Sequence, residues 1–439
     1  MKLSTTNIIQ YLKDKHYVDH IPYLSVGIVS SIVCISYAQV YHYFEVWGRK
    51  LLSVNPYISF GVTPLLLIIS FLLVQKIAPG ASGSGIPQVM ACVEKSHKHL
   101  GYYFLSVKII VIKIASSCLG ILAGGAIGRE GPSIQISGAI AHNLARLFKR
   151  LDISFKYDQM LVAGAASGLA AAFNTPIGGI VYAIEELSHE HVRSFKDVLL
   201  LSVVISGFTA QVILGNYLFL GYPKISPYMQ FSYISLLCVL SLLCGVLGSI
   251  FALFLSRIIL WRFSRSFKQQ IVIVGLVGVV LVGSYILFGE RTIFSGRKSI
   301  EYVLFTNGEM SIFEALMRFL APTLTSMTGI AGGIFSPSLS AGATIGGYLS
   351  QFFDPSLRTI MGLCGMIGFL TGVTRCPLTA FVLVLEMTDR RSAVLAMMLA
   401  AFFSSIGAHW LGSKSFYELV VDRIKNDQAL PKSDGQKTL

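Results

Sequence analysis

The sequence predicts an all-α polytopic membrane protein, organised as two inverted repeats of broken, tilted helices. Three observations lead there. Of the 439 residues, 54% are hydrophobic and only 13% charged, whereas about a quarter are charged in soluble chains. The basic residues lie in short clusters between apolar runs: Arg146, Lys149, Arg150 and Lys156; Arg257, Arg262, Arg265 and Lys268; then Lys414 onward. That is the positive-inside pattern of cytoplasmic segments, so the formal charge of +13 reads as a membrane face rather than a nucleic-acid surface. Finally, the chain repeats itself. The ten residues from Pro176 to Glu185 match those from Pro377 to Glu386, and Gly128-Arg129-Glu130-Gly131-Pro132-Ser133 is echoed by Gly333-Ile334-Phe335-Ser336-Pro337-Ser338. The offsets are 201 (377 − 176) and 205 (337 − 132), so two halves of about 200 residues are expected.

Residues 1–20 read as a cytoplasmic amphipathic helix, 21–220 as the first membrane repeat, 221–412 as the second, and 413–439 as a closing helix and cytoplasmic tail. The first fifteen residues hold no apolar core with a small-residue cleavage site, so no removable signal peptide is expected. The lysines at both ends place both termini in the cytoplasm. A first crossing over 23–41 ends in Tyr41, His42, Tyr43, Phe44 and Trp47, an aromatic belt. A second crossing at 58–77 runs into Pro79-Gly80-Ala81-Ser82-Gly83-Ser84-Gly85-Ile86-Pro87-Gln88, too glycine-rich to stay helical until Pro87 restarts a helix. Lipid tolerates irregular backbone only where protein or a polar cavity surrounds it, so Ser84 should line something.

Residues 107–123 are apolar and 134–147 rich in small side chains. Residues 160–187 would span about 42 Å as one helix, but Asn174-Thr175-Pro176 divides them into two half-helices. Small residues from Ala163 to Ala172 permit close helix packing. Further apolar segments lie near 198–220, 231–256, 271–288, 312–331, 339–352, 361–386 and 393–411.

Glu130 is the charge that most needs a reason, because apolar and small-residue runs flank it on both sides. An ionisable residue at membrane depth marks a functional site by default. Pro132 suits the first turn of a helix, so Gly128 to Gly131 would form an open N-terminus with free N–H groups and about half a positive charge, a place for an anion. A glycine hinge in which Glu130 merely pairs with Arg129 is the plainer alternative. Two-repeat transporters place their site at the midplane between such helix ends, and the second glycine motif can face the same ion only if the repeats are inverted.

Gly83-Ser84-Gly85-Ile86-Pro87, Gly128-Arg129-Glu130-Gly131-Pro132 and Gly333-Ile334-Phe335-Ser336-Pro337 together resemble the CLC chloride channel and transporter family, in its prokaryotic exchanger form. The resemblance runs from about residue 20 to 425 and includes Phe173-Asn174-Thr175-Pro176 and Gly412-Ser413-Lys414-Ser415-Phe416-Tyr417. It implies a homodimer in the inner membrane of a prokaryote, each subunit with its own chloride pathway and no cofactor. It implies anion ligands at the Ser84 and Tyr417 hydroxyls and at the backbone N–H groups of Ile334 and Phe335. It also implies that Glu130 is the gating carboxylate and Glu186 the inner, proton-relaying one. Channels of the family lack that inner acid, so the resemblance favours proton-coupled chloride exchange over a passive channel. Gln88 and Ser336 depart from the common Glu and Ala, and neither is expected to bind the anion through its side chain. Only a short polar tail follows Tyr417, so no paired cystathionine-β-synthase-type domains are expected.

The expected chemistry needs no positive side chain. Burying a bare anion costs on the order of 20 kcal/mol in the Born limit, and helix ends of roughly +0.5 each replace its hydration shell without holding it too tightly to leave. Glu130 carries the same charge as chloride and competes for the same place. Glu186, ten residues after Pro176, stands about 15 Å further along and by the resemblance belongs to a separate proton path; taken alone it reads as a surface carboxylate at a helix end beside Glu185 and Glu190. The seven cysteines show no paired ligand spacing and read as free thiols. The pairs His97/His99 and His189/His191 read as solvated loop residues, and no metal site is expected. Arg129 and Arg375 are expected to anchor carbonyls or lipid headgroups, and Glu386, with Met387 after it, to serve packing or hydrogen bonding. An intramembrane enzyme would need a metal set or a nucleophile–base pair at depth, and the sequence offers neither.

Overall fold

Proline, asparagine and glycine punctuate the chain into helices where the sequence places them. In the computed structural model, residues 18–94, 100–187, 196–215, 218–225, 231–306, 308–388 and 391–426 are described. The first half comprises α1 (Ile21–Val54), α2 (Pro56–Ile77), α3 (Ile86–Val93), α4 (Val107–Leu122), α5 (Glu130–Arg150), α6 (Tyr157–Phe173), α7 (Pro176–Tyr182) and α8 (Lys196–Leu214). The second comprises α9 (Phe231–Phe263), α10 (Phe267–Phe288), α11 (Arg297–Phe305), α12 (Ile312–Met327), α13 (Phe335–Leu349), α14 (Arg358–Thr374), α15 (Pro377–Thr388) and α16 (Val394–His409), and α17 (Phe416–Asn426) closes the chain. Among the described residues there is no sheet, only two isolated bridges. Among the described residues, seven helical stretches are long and apolar enough to cross a membrane, with α15 and α16 shorter but apolar. The histidine pairs at 97/99 and 189/191, most of the helix expected over 1–20, and the tail after 426 lie outside the described residues.

The halves repeat in packing as well as in sequence. Buried α6 packs on α1, α5 and α8, and buried α14 packs on α9, α13 and α16. Where α1 crosses α8, a Cβ on Gly27 would stand 2.5 Å from the Ser202 carbonyl oxygen, and Gly245 meets the Ser404 carbonyl even more closely where α9 crosses α16. Backbones approach this closely only without side chains between them. Both central helices end on a left-handed residue, Asn174 (φ 57°) after α6 and Arg375 (φ 61°) after α14, and a proline then opens each half-helix.

The half-helices α7 and α15 lie antiparallel and cap each other. Glu386 accepts hydrogen bonds from the N–H groups of Ile177 (3.1 Å) and Gly178 (2.7 Å). Glu185 accepts from the N–H groups of Leu378 (3.2 Å) and Thr379 (2.7 Å). Each acid near the end of one half-helix satisfies the orphan donors at the start of the other, as an inverted duplication requires. The role expected of Glu386 in hydrogen bonding therefore has a definite form.

One crossing differs from its expectation. Helix α1 continues to Val54 as 34 residues because neither proline nor glycine interrupts it after Tyr41 except Gly48. Tyr41 is correspondingly no belt residue: it is 2% exposed and its hydroxyl donates to the Ile127 carbonyl at 2.7 Å. Tyr43 and Trp47, on the outer side of the helix, are exposed.

Candidate anion and proton site

Three glycine loops from distant parts of the chain are laced together by their own backbones. Gly83 donates to the Ile330 carbonyl (3.0 Å) and accepts from Gly332 N–H (3.0 Å), while Gly128 and Gly333 exchange N–H···O bonds of 2.7 and 2.8 Å. Positive φ at Gly83 (67°) and Gly85 (96°) turns the first loop into α3, with Pro87 in its first turn. Glycine at 131 is required by proximity: a Cβ there would collide with Ser84 Oγ and lie 2.8 Å from the Ser84 carbonyl oxygen. The beginnings of α3, α5 and α13 thus meet at one place. Their first N–H groups have no partners within their helices, and neither α5, at Arg129, nor α13, at Ile334, has a side-chain cap.

The hydroxyls and acids expected here are present and buried. Ser84 Oγ, the Tyr417 hydroxyl and Glu130 Oε2 are buried without a hydrogen-bond partner among the described residues, and the Tyr417 hydroxyl stands close to Ser84. Buried polar atoms are almost always satisfied, so the neighbouring Ser84 and Tyr417 hydroxyls mark the place of a small polar ligand, while Glu130 Oε2 lies beside Gly128 on the other side of the loops. Glu130 Oε1 accepts from Ser336 Oγ at 2.6 Å. Arg129 points elsewhere, its guanidinium donating to the carbonyls of Ala38 (2.9 Å) and Ala172 (3.2 Å), so the hinge alternative of an Arg129–Glu130 pair is not what forms. Ser336 has a role that its sequence position did not suggest: it holds the carboxylate of Glu130.

Glu186 is not a surface carboxylate; it is 3% exposed. A π turn, Ala183–Leu187, follows α7 and carries Glu186 inward. Its Oε2 accepts from Cys376 Sγ (2.6 Å) and its Oε1 from Ser415 Oγ (3.4 Å). Between it and the glycine loops lie Tyr417 and Tyr182, whose hydroxyl is also buried and unpartnered; the Tyr182 ring packs on Phe335 with centroids 6.0 Å apart. The seven cysteines are free, and all but Cys238 are buried.

Two residues that sequence reasoning passed over hold the first loop. Lys113, fully buried in α4, donates to the carbonyls of Ala81 (3.0 Å) and Gly83 (2.7 Å). Gln135 donates to the carbonyls of Gly80 (2.9 Å) and Phe104 (3.0 Å). A lysine within an otherwise apolar helix was the available signal. With the carbonyls engaged, the loop turns its N–H groups and Ser84 toward the meeting point. Arg375, like Arg129, anchors carbonyls: it donates to Gly372 and Gly412 oxygens and to Ser249 Oγ.

Cavities approach from two sides. One of about 280 Å³ is lined by Ser84, Gln88, Ile334, Arg262 and Arg423, residues that include two members of the basic clusters assigned to the cytoplasm. Another, of about 760 Å³, is lined by His42, Glu45, Arg49 and Arg129, and a narrow space of about 20 Å³ shares His42 and Glu45 with it and reaches Glu130 and Ser336. Ser84 and Glu130 therefore face different cavities across the laced loops.

Comparison with known proteins follows the same geometry. The pattern of the family described as Voltage gated chloride channel matches residues 65–409. A protein named H(+)/Cl(-) exchange transporter ClcA from Klebsiella pneumoniae subsp. pneumoniae is 30% identical over 398 residues, covering 87% of this chain and 80% of the relative. Its namesake from Vibrio cholerae serotype O1 (strain M66-2) is 28% identical over 391 residues, covering 86% and 81%. Among solved structures, a slow cyanobacterial Cl−/H+ antiporter superposes with a TM-score of 0.83 at 23% identity, covering 94% of this chain and 99% of that one. A CLC-type fluoride/proton antiporter superposes with a TM-score of 0.76 at 18% identity, covering 95% and 99%. This multi-pass membrane protein belongs to the voltage-gated chloride channel family, the CLC family that its three glycine motifs resemble.

Proposed function

We propose that the chain is a secondary active antiporter that exchanges chloride for protons, and that it works as a homodimer in the inner membrane of a prokaryote with both termini cytoplasmic. Family membership makes it a transport protein rather than an enzyme, and its relatives are named as proton/chloride exchangers. The observation that carries coupling over passive conduction is the second buried acid: Glu186 sits apart from the glycine loops with no cation paired to it among the described residues. A conduction pathway for chloride alone gives no reason to bury a carboxylate there.

Chloride takes the place bounded by the Ser84 and Tyr417 hydroxyls and the N–H groups of Ile334 and Phe335. Helix-end partial charges and neutral donors replace its hydration shell. Glu130 competes with it, because two negative charges cannot share so small a space. When chloride arrives, the carboxylate of Glu130 leaves or takes up a proton; when chloride departs, it returns. The proton reaches it from Glu186 past Tyr182 and Tyr417, so the two ions move in opposite directions. The repeats 21–220 and 221–412 contribute the two sets of helix ends, and 413–439 closes the inner side through Tyr417. Ser84 supplies the hydroxyl at the selectivity point, a residue that the family's fluoride branch replaces, so chloride rather than fluoride is the cargo. The partner subunit covers the apolar faces of α8 and α16, where Val204, Phe208, Leu395 and Phe402 are exposed.

Reconstitution in liposomes tests this. A chloride gradient should drive protons uphill, and chloride flux without proton movement would make the protein a passive channel. Glu130→Gln should abolish proton movement and keep chloride flux, and Glu186→Gln should stop protons alone.

A further inference from the structure

We propose that Ser415 and Glu418 form the cytoplasmic proton inlet to Glu186. The inference rests on the reading of Glu186 as the proton-relaying acid and concerns how a proton reaches it. Glu186 is buried on every side, so something must connect it to water. Its Oε2 faces the thiol of Cys376, which is itself buried and whose other hydrogen bond among the described residues is to the Thr374 carbonyl (3.4 Å). That side is a dead end. Its Oε1 faces the Ser415 hydroxyl, and Ser415 leads outward.

Ser415 and Glu418 make a capping box at the start of α17. Ser415 N–H donates to Glu418 Oε2 (2.7 Å), and Glu418 N–H donates to Ser415 Oγ (3.1 Å). In such a box the acid's side chain folds back over the cap residue, so the Glu418 carboxylate lies against the residue whose hydroxyl reaches Glu186. Glu418 is partly exposed, while Ser415 and Glu186 are buried. The three therefore form a series from solvent to the interior.

The other acid near Glu186 is Glu185, and it is otherwise committed. Its carboxylate accepts from Leu378 N–H, Thr379 N–H and Thr379 Oγ1, bonds that hold the start of α15. Glu418 has no ion-pair partner among the described residues. The cations that interact with it electrostatically, Arg375 and Lys414, have their own partners, Arg375 on the Gly372 and Gly412 carbonyls and Lys414 on Asp422 (2.5 Å). It is thus the acid left to exchange protons with the cytoplasm. The transfer balances: Glu418, whose carboxylate is held at the Ser415 N–H, takes a proton from solvent and passes it by way of one water to Ser415 Oγ as the Ser415 hydroxyl proton moves to Glu186 Oε1. Ser415 ends as it began, Glu418 returns to carboxylate, and Glu186 is protonated. Because α17 also carries Tyr417, the proton inlet and the inner closure of the anion path share one helix turn.

Glu418→Gln separates the acid from the cap, since glutamine serves equally at this position of a capping box but cannot carry a proton. In liposomes holding the full-length protein under a chloride gradient, the proton-to-chloride flux ratio should fall about a hundredfold or more, the range by which positioned proton donors act. Ser415→Ala should lower the ratio as well, and Ser415→Thr, which keeps the hydroxyl, should restore it. A Glu418→Gln ratio equal to the parent's overturns the proposal. Glu186→Gln measured alongside tells the two failures apart. If it stops protons while Glu418→Gln does not, the inlet lies elsewhere; if it too leaves the ratio unchanged, the role of Glu186 itself is wrong.

Discussion

Replacing Ser336 with alanine tests whether Glu130 competes with the anion. The Ser336 hydroxyl donates to Glu130 Oε1 at 2.6 Å in a buried setting, and a hydrogen bond to a charged group contributes about 1.5–3 kcal/mol. At 1.4 kcal/mol per factor of ten, losing it lowers the docked population of the carboxylate about 10-fold to 100-fold relative to the undocked one. If docked carboxylate and chloride exclude each other, apparent chloride affinity rises as docking weakens, so Ser336→Ala should bind chloride about tenfold more tightly at neutral pH. Calorimetric titration of the purified protein with chloride reads this directly. In a Glu130→Gln background the competing charge is absent, and the same substitution should change affinity by less than about 0.5 kcal/mol. Unchanged or weaker binding in Ser336→Ala, or an equal gain in both backgrounds, would refute competition at this position.

Tyr417→Phe should weaken chloride binding only several-fold, since one neutral hydrogen bond contributes about 0.5–1.5 kcal/mol, whereas Tyr417→Ala should raise chloride flux per proton by removing the barrier; equal flux ratios in parent and alanine variant would make Tyr417 an ordinary tyrosine. Lys113→Met leaves the Ala81 carbonyl without its donor, at about 1–3 kcal/mol, and the Gly83 carbonyl with only the Gly332 N–H, so both thermal stability and chloride affinity should drop, and retention of both would mean that the loop holds itself. Glu386→Ala should lower stability by about 0.5–2 kcal/mol through the lost cap on α7, with Glu386→Gln intermediate; a denaturation midpoint unchanged in both would show that the cap contributes nothing.

Composition, charge clusters and the duplicated motifs determined that the chain is a two-repeat helical membrane protein, because burying apolar faces in lipid and breaking helices at Pro and Gly are local matters. The same reasoning located Glu130, Ser84 and the helix starts around them, since a charge or a glycine run in an apolar chain stands out by contrast. What it could not decide was which groups touch across the interior. That Ser336 holds Glu130, 206 positions away, and that Lys113 pins the Ser84 loop depend on how distant segments meet. The extent of α1 and the burial of Tyr41 differ from expectation for the same reason, because an aromatic side chain reads alike at a membrane surface and against a loop carbonyl. Glu186 shows the division most plainly: its spacing from Pro176 put it on a half-helix, but only the π turn and the approach of Cys376 and Ser415 from the second repeat and α17 made it an interior acid. Side-chain partners 190 and 229 residues apart are set by the folded arrangement of helices, which no local pattern encodes.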